Sequence, residues 1–249
     1  MYDPTRRSKD AQDGERTRVV IVTVWLGAKW TSLRFSQLLT FTVLALLLIP
    51  LQLRFRALGF VLVTLYLDAV AVSLTAAGYH RLRWLFLAGC VLVLALKIVP
   101  VSTPQLETSL YVTSRVLVVV LLGGCVVAIL GYVLRSASVS ADRIFAAIVA
   151  YMLMALAFAA AYQGIVALAP ESLTRPVPAG GGDAGDRLEV QLIYFSFVTI
   201  ATLGYGDITP HLPLTQMLVV LEAVAGQFYV AVVIAWLVST YAAHRKPGT

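Results

Sequence analysis

Between Thr199 and Pro210 the chain reads TIATLGYGDITP, and the chemistry of that stretch lies in its backbone more than in its side chains. Gly204 and Gly206 flank Tyr205, and Asp207 follows them. Successive carbonyls point at one axis only if the backbone alternates between ordinary and left-handed conformations, and glycine adopts the second without a Cβ penalty. A ring of carbonyl oxygens arranged in this way can replace the water shell of a cation. The oxygens would come from Thr202, Leu203, Gly204, Tyr205 and Gly206, with the Thr202 hydroxyl added at one end. Leu203 and Tyr205 would then turn their side chains away from the axis and brace the loop.

Such a loop must be held by its neighbours, and the neighbours are apolar. Of the 249 residues, 59% are hydrophobic and 13% charged, about half the charge of an ordinary soluble domain. The composition therefore implies an integral membrane protein, and the helix-length apolar runs counted below make the expected fold all-α. The net charge of +6 does not imply nucleic acid, because the basic residues lie between and outside the apolar runs, where they set membrane orientation. Cys90 and Cys125 sit inside apolar runs and read as buried small hydrophobes. The polar N-terminus has no apolar region followed by a small-residue cleavage site, so no cleavable signal peptide is expected.

A spanning helix needs about 20 mostly apolar residues. Six segments meet that requirement: 36–53, 58–78, 84–101, 110–134, 141–168 and 213–242. The shorter run 19–30 reads as an interfacial segment within a cytoplasmic N-terminus, 1–35. Arg6, Arg7, Lys9, Arg16 and Arg18 precede the first helix; His80, Arg81 and Arg83 fill the second loop; Arg135 and Arg143 flank the loop after the fourth helix; Arg245 and Lys246 follow the last. The excess of positive charge on cytoplasmic loops then places both termini in the cytoplasm, with Arg54 and Arg56 as the exception. The polar stretch 169–189, rich in Pro and Gly, reads as an extracellular turret. After it, VQLIYFSFVTIAT is too short to cross a bilayer and suits a re-entrant helix, 190–201. Non-helical backbone at membrane depth survives only where it is buried in protein or lines a wet cavity, so the loop 202–207 is expected to line a pore. The C-terminal end of the short helix would point its negative dipole at that cavity and favour a cation there.

TIATLGYGDITP resembles the signature of tetrameric potassium channels, Thr-Val-Gly-Tyr-Gly-Asp after a pore helix. The resemblance covers 141–242: outer helix 141–168, turret 169–189, pore helix 190–201, filter 202–207 and inner helix 213–242. It implies a potassium-selective pore with K+ held by the carbonyls of Thr202, Leu203, Gly204 and Tyr205, and no cofactor beyond the permeant ion. Thr199, Asp207, Tyr194, Phe195 and Val198 would support the filter, with the Tyr194 hydroxyl in reach of Asp207, and Gly226 would occupy the place of the inner-helix hinge. LEAVAGQFYVAVVIAWLV is similar to the inner helices of bacterial pore-loop channels. Three departures stand out: Leu203 replaces the usual Val, Val198 stands where some bacterial members carry a Glu paired with the filter acid, and Tyr194–Phe195 replaces two tryptophans. One filter motif per chain implies a homotetramer in the cell membrane, in contact with lipid.

Four helices, 36–135, precede the pore domain, the layout of six-helix channels. Voltage sensing needs several arginines at every third position of the fourth helix. That helix carries Arg115 near one end, Arg135 at the other and none between, so steep voltage gating is expected to be absent. The remaining intramembrane charges are Asp68, Lys97 and Glu222; Asp68 is read as the structural partner of Lys97 or Arg115, and Glu222 as structural. Val230, Ile234 and Val238 repeat at four-residue spacing, either as an apolar pore lining that gates by dewetting or as a packing stripe. A short cytoplasmic tail, 243–249, follows. No nucleotide-binding glycine loop, metal-ligand cluster or catalytic triad is visible, which argues against an enzyme. A non-selective cation channel, a channel-derived transporter and a sensor built on a non-conducting pore are the other readings; ion flux separates them.

Overall fold

The computed structural model describes residues 34–52, 80–98, 103–135, 140–174 and 184–244, with the single positions Val70 and Gly78. The described chain is helical apart from one ribbon of two-residue strands. Its helices are α1 (Arg34–Gln52), α2 (His80–Ile98), α3 (Pro104–Leu134), α4 (Ala141–Leu168), α5 (Ala184–Ile200) and α6 (Pro213–His244). Three are long and apolar enough to cross a membrane: Pro104–Leu134, Ala141–Leu168 and Pro213–Thr240. An all-helical chain with such helices fits a membrane protein. The expected span 58–78 and the interfacial segment 19–30 lie outside the described residues, apart from Val70 and Gly78.

Local chemistry starts the helices where the sequence supplies it. Pro104 opens α3, where its missing N–H costs nothing, and Glu107 faces the positive end of the helix. At the head of α4 the Ser140 hydroxyl accepts from the Arg143 N–H, and Asp142 lies in the first turn. Asp142 also accepts the Phe35 N–H at 2.9 Å, tying the start of α1 to the start of α4.

Helix α4 is central and packs against α1, α3, α5 and α6. Its buried positions include Ala146, Ala147, Ala150, Ala155 and Ala159, small residues that let neighbouring helices approach closely. One apolar core joins Phe35 and Leu38 of α1 to Ile129 and Val133 of α3 and Val149 and Leu153 of α4. The Phe35 and Tyr132 rings stack there at 5.2 Å. A second core, Tyr162, Val166, Leu173, Leu192, Phe195 and Ile208, lies behind the 202–207 loop.

Helix α4 has the bounds expected from sequence, and α6 runs two residues further than expected. The clearest difference is α5, which starts at Ala184 instead of 190. Apolar counting finds only the apolar part of a helix. Asp186, Arg187, Leu188 and Glu189 are compatible with helix and extend it back to the edge of the glycine run at 180–182, so Glu189 is helical and not part of the loop.

Candidate functional site: the glycine loop and its supports

The loop leaves α5 through a specific hydrogen-bond pattern. The Leu203 N–H donates to the Val198 carbonyl and the Thr202 N–H to the Thr199 carbonyl, both at 2.9 Å. These bonds, from the sixth residue to the first and the fifth to the second, form a Schellman motif, whose fifth residue must be left-handed. That residue is Thr202, with φ +57°. Glycine is usual there, and a β-branched residue costs on the order of 1–2 kcal/mol in that conformation. Gly204 and Gly206 follow with φ +57° and +78°. Positions 202, 204 and 206 are therefore left-handed while Leu203 and Tyr205 are not. This is the backbone alternation that the sequence called for at Gly204 and Gly206, and Thr202 begins it two residues before Gly204.

Several groups hold the loop from behind. The Tyr151 hydroxyl of α4 donates to the carbonyl of Ile200, the last residue of α5, at 2.9 Å. Gly226 of α6 rests against the same carbonyl; a Cβ there would lie 2.6 Å from the Ile200 oxygen and 2.7 Å from its Cγ1. The helix is unbroken through Gly226, so the structure gives this glycine a close-packing role at the foot of the loop. Gln227 Nε2 donates to the Thr202 hydroxyl at 3.4 Å. Phe195 is buried edge-on to Tyr162, with ring centroids 5.1 Å apart. Val198 and Thr199 are buried and act through the carbonyls just described.

Beyond the glycines, Asp207 turns its carboxylate back on the Ile208 N–H at 3.1 Å. The Tyr194 hydroxyl is hydrogen-bonded to the same carboxylate, the reach expected of it from sequence. The exit is then pinned to the end of α4. Strands β1 (Leu173–Thr174) and β2 (Thr209–Pro210) pair antiparallel, with Leu173 opposite Pro210. The Ser172 carbonyl accepts from the His211 N–H and from the Thr215 hydroxyl, each at 2.9 Å.

Glu222 is fully buried behind α5. The Tyr162 hydroxyl donates to it at 2.7 Å, and Ser196 of α5 is hydrogen-bonded to its other oxygen. Ser196 also contacts the Ala155 carbonyl at 2.6 Å. Arg115 lies on α3 and is buried. It donates to Glu189 at 2.6 Å and to Gln163 at 2.7 Å, and its guanidinium lies over the Tyr111 ring at 4.6 Å. The Tyr111 hydroxyl donates to the same Glu189 oxygen at 3.3 Å. Glu189 is thus the acid that meets Arg115. Asp68 lies outside the described residues, and of Lys97 only the backbone, in α2, is described.

Val230, Ile234 and Val238 are exposed on the isolated chain. Val230 and Ile234 border an apolar groove between α4 and α6, with Ile144, Ile148 and Trp236 on its other walls. Leu203 and Tyr205 are 58% and 67% exposed, so the single chain does not provide the bracing their side chains need. Ser196, Tyr151, Tyr162, Gln227 and Glu189 were not singled out by sequence. Nothing local marks them, because each acts on a residue at least 25 positions away. Among the described residues no cluster of His, Cys, Asp and Glu could hold a metal ion.

Residues 189–243, from the Glu189 turn of α5 through the loop to the end of α6, match the family model described as ion channel. No curated protein matches the chain.

Proposed function

We propose that this chain belongs to an ion-channel family of the potassium-channel type, whose model its residues 189–243 match, and that it forms a potassium-selective pore conducting passive K+ flux. The observation that carries this reading is the alternation at positions 202, 204 and 206, left-handed against their neighbours. It directs the carbonyls of Thr202, Leu203, Gly204, Tyr205 and Gly206 toward one axis, where they replace the water shell of a dehydrated cation. The negative end of the α5 dipole and the Thr202 hydroxyl lie at the entry to the same axis. Leu203 in place of valine leaves these oxygens unchanged, since the backbone supplies them.

One chain supplies one wall of such a pore. Four copies about a fourfold axis supply the ring and cover the exposed Leu203 and Tyr205 side chains and the apolar surface of α6. Each subunit contributes six spans in the cell membrane, with both termini cytoplasmic. Conduction lacks steep voltage dependence, because α3 carries one buried arginine and that arginine is neutralised by Glu189. Val230, Ile234 and Val238 line the inner part of the pore, with Gly226 where the inner helix bends on opening.

The test is flux through purified protein in liposomes loaded with K+, with barium as blocker. Barium-sensitive K+ efflux from a tetrameric preparation supports the proposal. K+ and Na+ fluxes of equal size would favour a non-selective channel, and no flux from intact tetramer would contradict the reading.

A further inference from the structure

Ser196 poses a counting problem. Its hydroxyl oxygen lies within hydrogen-bonding distance of two oxygens, the Ala155 carbonyl and a carboxyl oxygen of Glu222. A hydroxyl carries one hydrogen. The Ala155 carbonyl has none to give. One hydrogen shared between the two oxygens would leave both contacts weak, whereas a hydrogen on Glu222 gives each contact its own. The site is sealed, with Ser196 and Glu222 both fully buried, so an O···O contact without a hydrogen would be costly. The other Glu222 oxygen accepts from the Tyr162 hydroxyl.

Resting on the channel reading above, we propose that Glu222 carries a proton and, as a neutral carboxyl, is a positioning residue that locks the inner helix to the pore helix. Hydrogens then run in one direction: Tyr162 Oη–H to Glu222, Glu222 Oε1–H to Ser196, and Ser196 Oγ–H to Ala155. This chain joins α4, α5 and α6 at one point. It lies one helical turn from Gly226, which touches the last carbonyl of α5. Among the described residues, the titratable groups facing Glu222 are Tyr162 and Tyr151, both from α4; α5 presents the Ser196 hydroxyl. When the proton is released to solvent, the carboxylate competes with Ala155 for the single Ser196 hydrogen and the direction of the chain is lost. The pore helix then loses one of its footholds on α4 or α6, and conduction falls as pH rises.

Two measurements test this. In liposomes, wild-type K+ flux is expected to fall in alkaline buffer with a single-proton slope. E222Q, whose amide donates to Ser196 and accepts from Tyr162 as the neutral acid does, is expected to conduct at the wild-type level near neutral pH and to keep conducting in alkali. A wild type without the alkaline loss, an E222Q that shares it, or an E222Q tetramer that does not conduct would each overturn the proposal. The second readout is independent of conduction. The infrared difference between wild type and E222Q near neutral pH is expected to show the C=O band of a protonated carboxyl, and its absence would overturn the proton assignment. In wild type alone, that band should bleach in step with flux, and a band that survives where flux is lost overturns the link. A wild type that carries the band yet passes no K+ upholds the proton assignment and refutes the channel reading.

Discussion

Helix α3 meets α5 at the Arg115–Glu189 ion pair, and the two sides of that pair are not equally buried. The Arg115 side chain is 10% exposed and the Glu189 side chain 33%. The guanidinium donates to Glu189 at 2.6 Å and Gln163 at 2.7 Å. Removing Glu189 leaves a cation shielded from water with one neutral amide and the Tyr111 ring as partners. Breaking a buried pair in this way costs about 3–5 kcal/mol, and the exposure of Glu189 moves the expected cost toward about 3. Removing Arg115 leaves a carboxylate that water can reach and that still accepts from Tyr111, so about 1–2 kcal/mol is expected. E189Q should therefore destabilise the protein more than R115Q. The double variant should be less destabilised than the sum of the two, by about 1–3 kcal/mol. The assay is thermal unfolding of the purified protein in detergent for the four members of the cycle. Equal costs with no coupling energy would refute the reasoning, because they would mean the pair is solvated and does not join the helices.

Other substitutions address the loop and its supports. G226A puts a Cβ 2.6 Å from the Ile200 oxygen, so overpacking of about 1–3 kcal/mol should appear as a lower unfolding temperature, and substitutions at Gly123, which has open space around it, should cost less. Y151F strips the Ile200 carbonyl of its donor and should cost about 1–3 kcal/mol, with reduced K+ flux in liposomes. G204A and G206A each force an alanine into the left-handed region at about 1–2 kcal/mol per subunit, and each should lose K+ flux while the subunits still assemble by size-exclusion chromatography. Replacing Thr202 by glycine should relieve the strain at φ +57° and raise the unfolding temperature, at the expense of the hydroxyl that Gln227 meets.

What could be read from sequence follows the range of the interactions involved. The conformations of Gly204 and Gly206 were legible because glycine is itself the signal for positive φ. Thr202 was not, because a threonine is left-handed only where helix-end hydrogen bonds demand it, and those bonds depend on where α5 stops. The bounds of α4 were legible from the apolar run alone, and the structure adds the Ser140 cap at its head. The start of α5 was not, since its first turns are polar and follow a glycine run. The Tyr194–Asp207 contact was foreseeable from thirteen residues of separation across one loop. The partner of Arg115 was not, because 74 residues separate it from Glu189 and only the packing of α3 against α4 and α5 brings them together. Gly226 was legible as special, while the reason the structure supplies, contact with the Ile200 carbonyl, required the crossing of α6 over α5.

The central claim is that the carbonyls of residues 202–206 select K+. The most direct test is the reversal potential across a planar bilayer holding the purified protein, with K+ on one side and Na+ at equal concentration on the other. The account predicts a reversal potential displaced far toward the K+ equilibrium value and a barium-blocked current. A reversal potential near zero, with current carried equally by the two ions, would contradict it.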